Sequence, residues 1–196
     1  MKSRSLSDLI AWSLVLLAAI VMPVQAASYL SVTEAKKLMF PAAERFVAVP
    51  SSSLRQWQDQ LSKRLDEDVR IRHIKLWEAR QGDKLLGYFA SDSAIGRDEL
   101  FDYAVSFDTD AVVLQVEILN YKEAHGQEVH DHKPWRRQFI GKSADSALQL
   151  DSDISNISGA TLSCSHLADG IRTLTRLLKT GLGGSFTVPP STSGPK

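Results

Sequence analysis

The sequence predicts an α+β fold in a single domain, with helices packed on an antiparallel sheet. Two observations support this prediction. The middle of the chain contains short segments of alternating apolar and polar residues separated by turn residues, which is typical of antiparallel strands. Two amphipathic helix patterns precede these segments and a longer one follows them. Strands grouped between helices favour α+β over a fold in which every strand alternates with a helix.

The first 26 residues have the features of a signal peptide. A short basic start with Lys2 and Arg4 is followed by an apolar stretch over 9–24 and a small-residue cleavage pattern that ends at Ala26. The apolar stretch is shorter than the ~20 residues that a membrane span needs. We therefore predict export to the periplasm, cleavage after Ala26 and a mature chain that does not span the membrane. The alternative is an uncleaved anchor in the inner membrane with the domain facing the periplasm.

The remaining chain divides into three parts. Residues 27–80 form an N-terminal extension of helices and strand, 81–180 form the main domain, and 181–196 are a Gly-, Pro-, Ser- and Thr-rich tail predicted to be disordered. The formal net charge is zero, with 23 basic and 23 acidic residues, which argues against nucleic acid as a partner. Cys164 is the only cysteine, so an internal disulfide is excluded and a core position is favoured.

The predicted elements follow in order. Ser31 and Glu34 have the spacing of a capping box that begins a short helix ending before Pro41. A second helix is predicted from the spacing of Leu54, Trp57, Leu61 and Leu65. Strands are predicted over 69–77 and 84–90, and a hairpin over 101–107 and 111–119. A short helix is expected over 135–140. This order favours helices on one side of the sheet.

The last and best amphipathic helix follows Ser158-Gly159-Ala160-Thr161. Its apolar positions recur with the period of one helix face at Leu167, Ile171, Leu174 and Leu178. Because the first turn of a helix has unpaired N–H groups and the positive end of the helix dipole, it readily holds a phosphate. Gly159 would allow close approach of the anion, and Ser158, Thr161 and Ser163 add hydroxyl groups. The simpler alternative is that Ser158 or Thr161 only caps the helix.

Three blocks of the sequence resemble a known family. They are Val116–Gly126, which ends in Glu-Ala-His-Gly, then Trp135–Lys142 with its closing Gly-Lys, and Ile157–Thr161 with the Ser-Gly-Ala-Thr motif. In this order they resemble the periplasmic FMN-binding domain family, found in the C and G subunits of the Nqr and Rnf electron-transfer complexes and in free-standing proteins. The resemblance extends over roughly 82–178.

The resemblance implies an FMN-binding domain over 81–180 in which Thr161 carries FMN through a phosphoester bond. An ApbE-type flavin transferase would install the bond, placing the FMN phosphate at the N-terminus of the last helix. The protein would then transfer electrons to or from a membrane or periplasmic redox partner. The implied cofactor-binding residues are Thr161, Ser158, Gly159, Ala160, Leu162, Ser163, Glu123, His125, Gly126, Gly141 and Lys142.

The sequence departs from the family pattern at two places. Ser155 stands where the family usually has an acidic residue, and Asp153 is the candidate to replace it. His125 stands where proline is common, and a histidine near flavin can tune its reduction potential. Two alternatives stay open: a non-redox interaction module that has lost its cofactor, and a flavin-dependent reductase with its own substrate. No residue has the pattern of a catalytic acid, base or hydrolase nucleophile.

Other candidate residues have two interpretations. His125, His130 and His132 lie among carboxylates, but no tetrahedral ligand set is evident, so a polar loop is favoured over a metal site. The aromatic residues Trp135, Phe139, Tyr88 and Phe89 would either cover a flavin face or pack in the core.

Overall fold

The computed structural model describes residues 30–71, 73–121, 129 and 132–189. Over these ranges the chain forms five strands and four α-helices. The strands are β1 (Arg45–Ala48), β2 (Lys75–Gln81), β3 (Lys84–Ile95), β4 (Leu100–Phe107) and β5 (Val113–Asn120). The helices are α1 (Val32–Met39), α2 (Ser51–Leu65), α3 (Lys133–Arg136), which continues as a 3₁₀ turn over Arg137–Phe139, and α4 (Thr161–Gly181). Within these ranges, no helix combines the length and the apolar character that a membrane crossing requires. The predicted signal peptide lies outside the described residues.

The five strands form one antiparallel sheet in the order of the chain. The α+β prediction and the predicted β4–β5 hairpin are therefore confirmed, with Val105 opposite Val116. The predicted strand over 69–77 was wrong in its first half, because β2 begins only at Lys75. Val69 instead bonds to α2, where its N–H donates to Ser62 Oγ and its carbonyl oxygen accepts from Gln58 Nε2. These bonds hold the chain against the helix, away from the sheet.

Helices cover both faces of the sheet, so the expectation of helices on one side was wrong. The side chains of β3 explain the difference, since Tyr88 and Ala90 enter the larger core while Phe89 enters a second cluster on the other face. α1 covers that second cluster, and its capping box between Ser31 and Glu34 is formed as predicted. α2 and α4 cover the larger core.

The edge strand β5 is covered by α3. Arg136 makes this contact, because its Nε donates to the carbonyl oxygen of Val116 at 3.2 Å and its Nη2 pairs with Glu117 at 2.8 Å. An edge that is covered in this way is protected from pairing with another chain. The same contact fixes α3 and the chain that follows it against the sheet.

The apolar face of α4 sets the position of the candidate site. The predicted residues Leu167, Ile171, Leu174 and Leu178 are all buried in the larger core, and burial of each such side chain stabilises the fold by about 2 kcal/mol. Gly170 allows close approach to the hydroxyl of Tyr103. Because the helix is held along its length, the place at which it begins is also fixed.

Candidate cofactor site at the start of helix α4

The motif Ser158–Thr161 forms a tight turn that leads directly into α4. Gly159 has a φ of +89°, a conformation that L side chains rarely adopt. The N–H of Ala160 donates to the carbonyl oxygen of Ile157 at 3.0 Å and so closes the turn. Thr161 is the first residue of the helix. The glycine thus has a defined purpose, since it lets the chain reverse immediately before the helix begins.

The helix is not capped by a side chain. Its N-cap is Ala160, and among the described residues no side chain makes a capping hydrogen bond there. The interpretation of Ser158 or Thr161 as a simple cap was therefore wrong. The hydrogen bonds of the helix begin with the N–H of Cys164, which donates to the carbonyl oxygen of Ala160 at 2.9 Å. Among the described residues, the N–H groups of Thr161, Leu162 and Ser163 have no hydrogen-bond acceptor, and they lie at the positive end of a 21-residue helix, where an anion is stabilised.

Thr161 is exposed, and its hydroxyl group is oriented by a neighbour. Asn156 Nδ2 donates to Thr161 Oγ1 at 2.9 Å. Asn156 was not predicted from the sequence. The only signal in the sequence is a polar residue five positions before the threonine, and that spacing has no meaning until the turn at Gly159 brings the two side chains together.

The other residues of the motif divide by exposure. Ser158, Gly159 and Leu162 are exposed, whereas Ala160 and Ser163 are buried. The hydroxyl of Ser163 lies 3.1 Å from the hydroxyl of Tyr121. This contact joins the first turn of α4 to the residue that follows β5. The next residues along the chain include three of the predicted ligands, Glu123, His125 and Gly126, and these lie outside the described residues.

The segment before the motif is held by α3 and its 3₁₀ extension. The indole Nε1 of Trp135 donates to the carbonyl oxygen of Ser155 at 2.5 Å, and Gln138 Oε1 accepts from the N–H of Ser155 at 2.8 Å. Trp135 and Phe139 are 3% and 0% exposed, and their rings meet edge to face. Both are core residues, and the bond from Trp135 positions the segment before the motif. Tyr88 and Phe89 are buried in the sheet and are core residues too.

Gly141 and Lys142 lie beside the first residue of β5, whereas Tyr121 and Ser163 meet beyond its last residue. The N–H of Gly141 donates to the carbonyl oxygen of Val113, and Lys142 Nζ pairs with Asp153 Oδ2 at 3.0 Å. These two predicted pocket residues are therefore associated with the segment that leads to the motif, and no described contact joins them to Ser158–Ser163.

Asp153 is engaged by its own surroundings. Burial alone would raise its pKa, but the N–H of Gln149 and the ammonium group of Lys142 both bond to the carboxylate, and together they lower the pKa below its ordinary value. The carboxylate that would replace the missing acid at Ser155 is thus already paired with a cation.

Two of the histidines that the structure describes make structural hydrogen bonds. His132 caps α3, its Nδ1 accepting from the N–H of Trp135 at 3.0 Å, and His166 Nδ1 lies 2.7 Å from the carbonyl oxygen of Ile95. His125 and His130 lie outside the described residues. Over the described ranges, no group of three His, Cys, Asp or Glu residues could hold a metal ion. Cys164 is fully buried, in agreement with its predicted core position.

An uncapped helix N-terminus that follows a glycine at positive φ favours the binding of an anion, and the exposed hydroxyl group of Thr161 lies at its first residue. Residues 99–175 match the family model described as the FMN-binding domain. The match begins just before β4 and ends within α4, so it includes the whole motif. No curated protein matches the chain. The match supports FMN as the cofactor of this domain.

Proposed function

We propose that this protein is an exported flavoprotein that carries one FMN in phosphoester linkage to Thr161 and transfers electrons between partners. The observation that carries the proposal is the position of Thr161, which is exposed, is the first residue of α4, and lies where the helix has no side-chain cap. The family match supplies the cofactor, and the signal peptide predicted from the sequence supports action in the periplasm.

The residues present fit a phosphate ester at Thr161. The backbone N–H groups of the first turn provide donors for phosphate oxygens, and Gly159 has no side chain that would obstruct them. Asn156 holds the threonine oxygen in one orientation while leaving its proton available for removal. The hydroxyl of Ser163 is engaged by Tyr121 and is buried, so it does not compete for the same modification.

The attachment we propose uses FAD as donor and an ApbE-type flavin transferase as catalyst. The Oγ1 of Thr161 forms a bond to the phosphorus of the FMN half of FAD, and the bond between the two phosphates breaks to release AMP. The hydroxyl proton passes to a base of the transferase. In this reaction the chain is the substrate, and its contribution is to present one oriented hydroxyl group at a site that tolerates the product's charge.

The flavin supplies the redox chemistry when it is bound. The chain's own contribution is position and rigidity. The first turn of α4 is fixed by the buried helix face behind it, by the Tyr121–Ser163 contact on one side, and by the bonds of Trp135 and Gln138 to Ser155 on the other. A rigidly held cofactor keeps a constant distance to a redox partner, which suits a carrier of electrons.

Intact mass measurement tests this proposal. The full chain would be expressed and exported together with a flavin transferase, and we expect its mass to increase by that of FMN less one water. The Thr161→Ala variant should lack the increase, and Thr109→Ala, at an exposed threonine of the β4–β5 turn, should show it in full. An unmodified, colourless wild-type protein would favour a cofactor-free interaction module. Turnover of a small substrate by the flavinylated protein alone would favour a reductase.

A further inference from the structure

A cavity lies along α4, away from the motif at 158–161. Its volume is about 480 Å³, and it lies between α4, the segment 147–150 and the chain at 188–189. The helix contributes Ser165, Ala168, Asp169, Arg172 and Arg176, which recur with the period of one helix face. A cavity of this size is within the range of small-molecule sites, which are typically 300–1,000 Å³.

Arg176 is the unusual member of this cavity. The residue is only 8% exposed. Among the described residues, no carboxylate oxygen lies within 4.0 Å of its guanidinium group. Its guanidinium group makes a long hydrogen bond from Nε to the carbonyl oxygen of Ala144 at 3.4 Å, and its Cζ lies 5.8 Å from the ring centroid of Phe186. Arginine is rarely buried unless it is paired, because desolvation of the charge is costly. Neither the carbonyl group nor the aromatic ring carries a negative charge, so a buried guanidinium group at the wall of this cavity favours a bound anion.

The neighbouring charged residues do not neutralise the guanidinium group of Arg176. Arg172 is already bound to Asp169 at 2.6 Å and to the carbonyl oxygen of Leu148 at 3.2 Å. Burial, together with repulsion from Arg172, lowers the pKa of Arg176, while Glu67 and Asp145 act in the opposite direction from a distance. Glu67 lines the cavity, but it is exposed. Among the described residues, Asp169 is thus the one carboxylate within 4.0 Å of either guanidinium group, and Glu67 lies farther away at the cavity wall.

We propose that this cavity binds an oxyanion, the carboxylate or phosphate group of a small ligand, on the guanidinium groups of Arg172 and Arg176. Guanidinium groups bind both kinds of oxyanion through paired N–H donors, and such charge-assisted bonds are about twice as strong as neutral ones. The apolar walls at Ala147, Leu150 and Val188 would contact the rest of the ligand. The site is separate from the FMN phosphate, because Arg172 lies 11 residues beyond Thr161 along the helix, about 16 Å away.

Titration of the full Thr161→Ala chain tests the site without any flavin. The probes are inorganic phosphate and malonate, each compared with sodium chloride at the same ionic strength, and binding is followed by calorimetry and by the melting temperature. We expect saturable binding of at least one probe with a dissociation constant of about 1 mM or below. A preference for phosphate would indicate a phosphorylated ligand, and a preference for malonate a carboxylate. No saturable binding of either probe would overturn the proposal.

Variants at the cavity sharpen the test. Arg176→Met should fold at least as stably as its parent, because it removes a buried charge, yet it should lose about tenfold or more in affinity. Arg176→Gln, which keeps a polar group, is the second variant, and Arg55→Gln, at an exposed arginine of α2, should bind as the parent does. Equal affinity in Arg176→Met would overturn the proposal. So would binding seen only in Glu67→Gln, since Glu67 would then be the natural partner of Arg176.

The flavinylated wild-type protein gives the last comparison. It should bind the probe as tightly as Thr161→Ala does. Loss of binding confined to the flavinylated form would show that the flavin itself occupies the cavity, and would overturn a separate site. Failure of flavinylation would contradict the proposed function without affecting the titration of the unmodified chain.

Discussion

The side-chain amide of Asn156 donates a hydrogen bond of 2.9 Å to the Oγ1 of Thr161, the residue with which α4 begins. A hydroxyl group held in this way has its oxygen in a constant direction. In the attachment that we propose, this hydroxyl group would be oriented before a transferase approaches, and less of the transferase's binding energy would be needed to orient it.

We therefore expect Asn156→Ala to slow flavinylation about fivefold, the effect of losing a hydrogen bond worth roughly 1 kcal/mol. The measurement is the rate at which the intact mass increases with purified transferase and FAD. Ser152→Ala, at an exposed residue in the preceding turn, is the control and should react at the wild-type rate. An unchanged rate in Asn156→Ala would show that the orienting bond has no role in the reaction.

Gly159→Ala should impair both the stability and the flavinylation of the protein. An alanine at a φ of +89° costs about 1 kcal/mol, and relief of that strain would move the first turn of α4. Gly183→Ala is the matched control, because Gly183 has a φ of +72° and open space around it just beyond the end of the helix. It should lose similar stability in urea while taking up FMN at the normal rate. If both variants are flavinylated equally well, the geometry of the turn at Gly159 is not required.

Tyr121 and Ser163 should behave as a coupled pair. Removing one hydroxyl by Tyr121→Phe or Ser163→Ala leaves the other buried without this partner, and each should lower the free energy of unfolding by about 1 to 2 kcal/mol. The double variant should lose less than the sum of the two single losses. Urea unfolding of all four proteins measures the coupling, and strictly additive losses would mean that the two hydroxyls do not interact in solution.

Asp153 should make stability depend on pH in the acid range. Its pKa is lowered in the folded protein, so its contribution is present above the ordinary pKa of an aspartate and is lost as the pH falls through the lowered value. The difference in urea midpoint between wild type and Asp153→Asn should therefore be constant from pH 7 to about pH 5 and shrink as the pH falls below about 4. Asp59→Asn, at an exposed position of α2, should show no such change. A difference that is constant with pH would contradict the pairing with Lys142.

Local patterns in the sequence predicted most of the fold. The capping box at Ser31, the β4–β5 hairpin and the apolar face of α4 depend on residues close together in the chain, so their spacing was sufficient. β1 was missed because it has only four residues and exists through its pairing with β2. The covering of both sheet faces was missed because it depends on where α1 docks, which no local pattern determines.

The candidate site was predicted in part for the same reason. The motif at 158–161 predicts a turn followed by the start of a helix, and the structure has both at these residues. Asn156 and Tyr121 act through contacts between distant or irregular segments, which leave no periodic signal. The burial of Arg176 was even harder to predict, because a charged residue in a helix is normally expected to face water. Its burial follows only from the packing of the whole domain.

The sequential order of the strands also has a consequence for the order in which the protein folds. Each strand can pair with its chain neighbour as soon as both have emerged, so the sheet can form progressively from β1 to β5. α4 comes last, and it needs the completed sheet and α2 before its apolar face can be buried. We therefore expect the turn at Thr161 to reach its final position only after the sheet and α2 have packed together. Attachment at that residue would then mark only those chains that have finished folding.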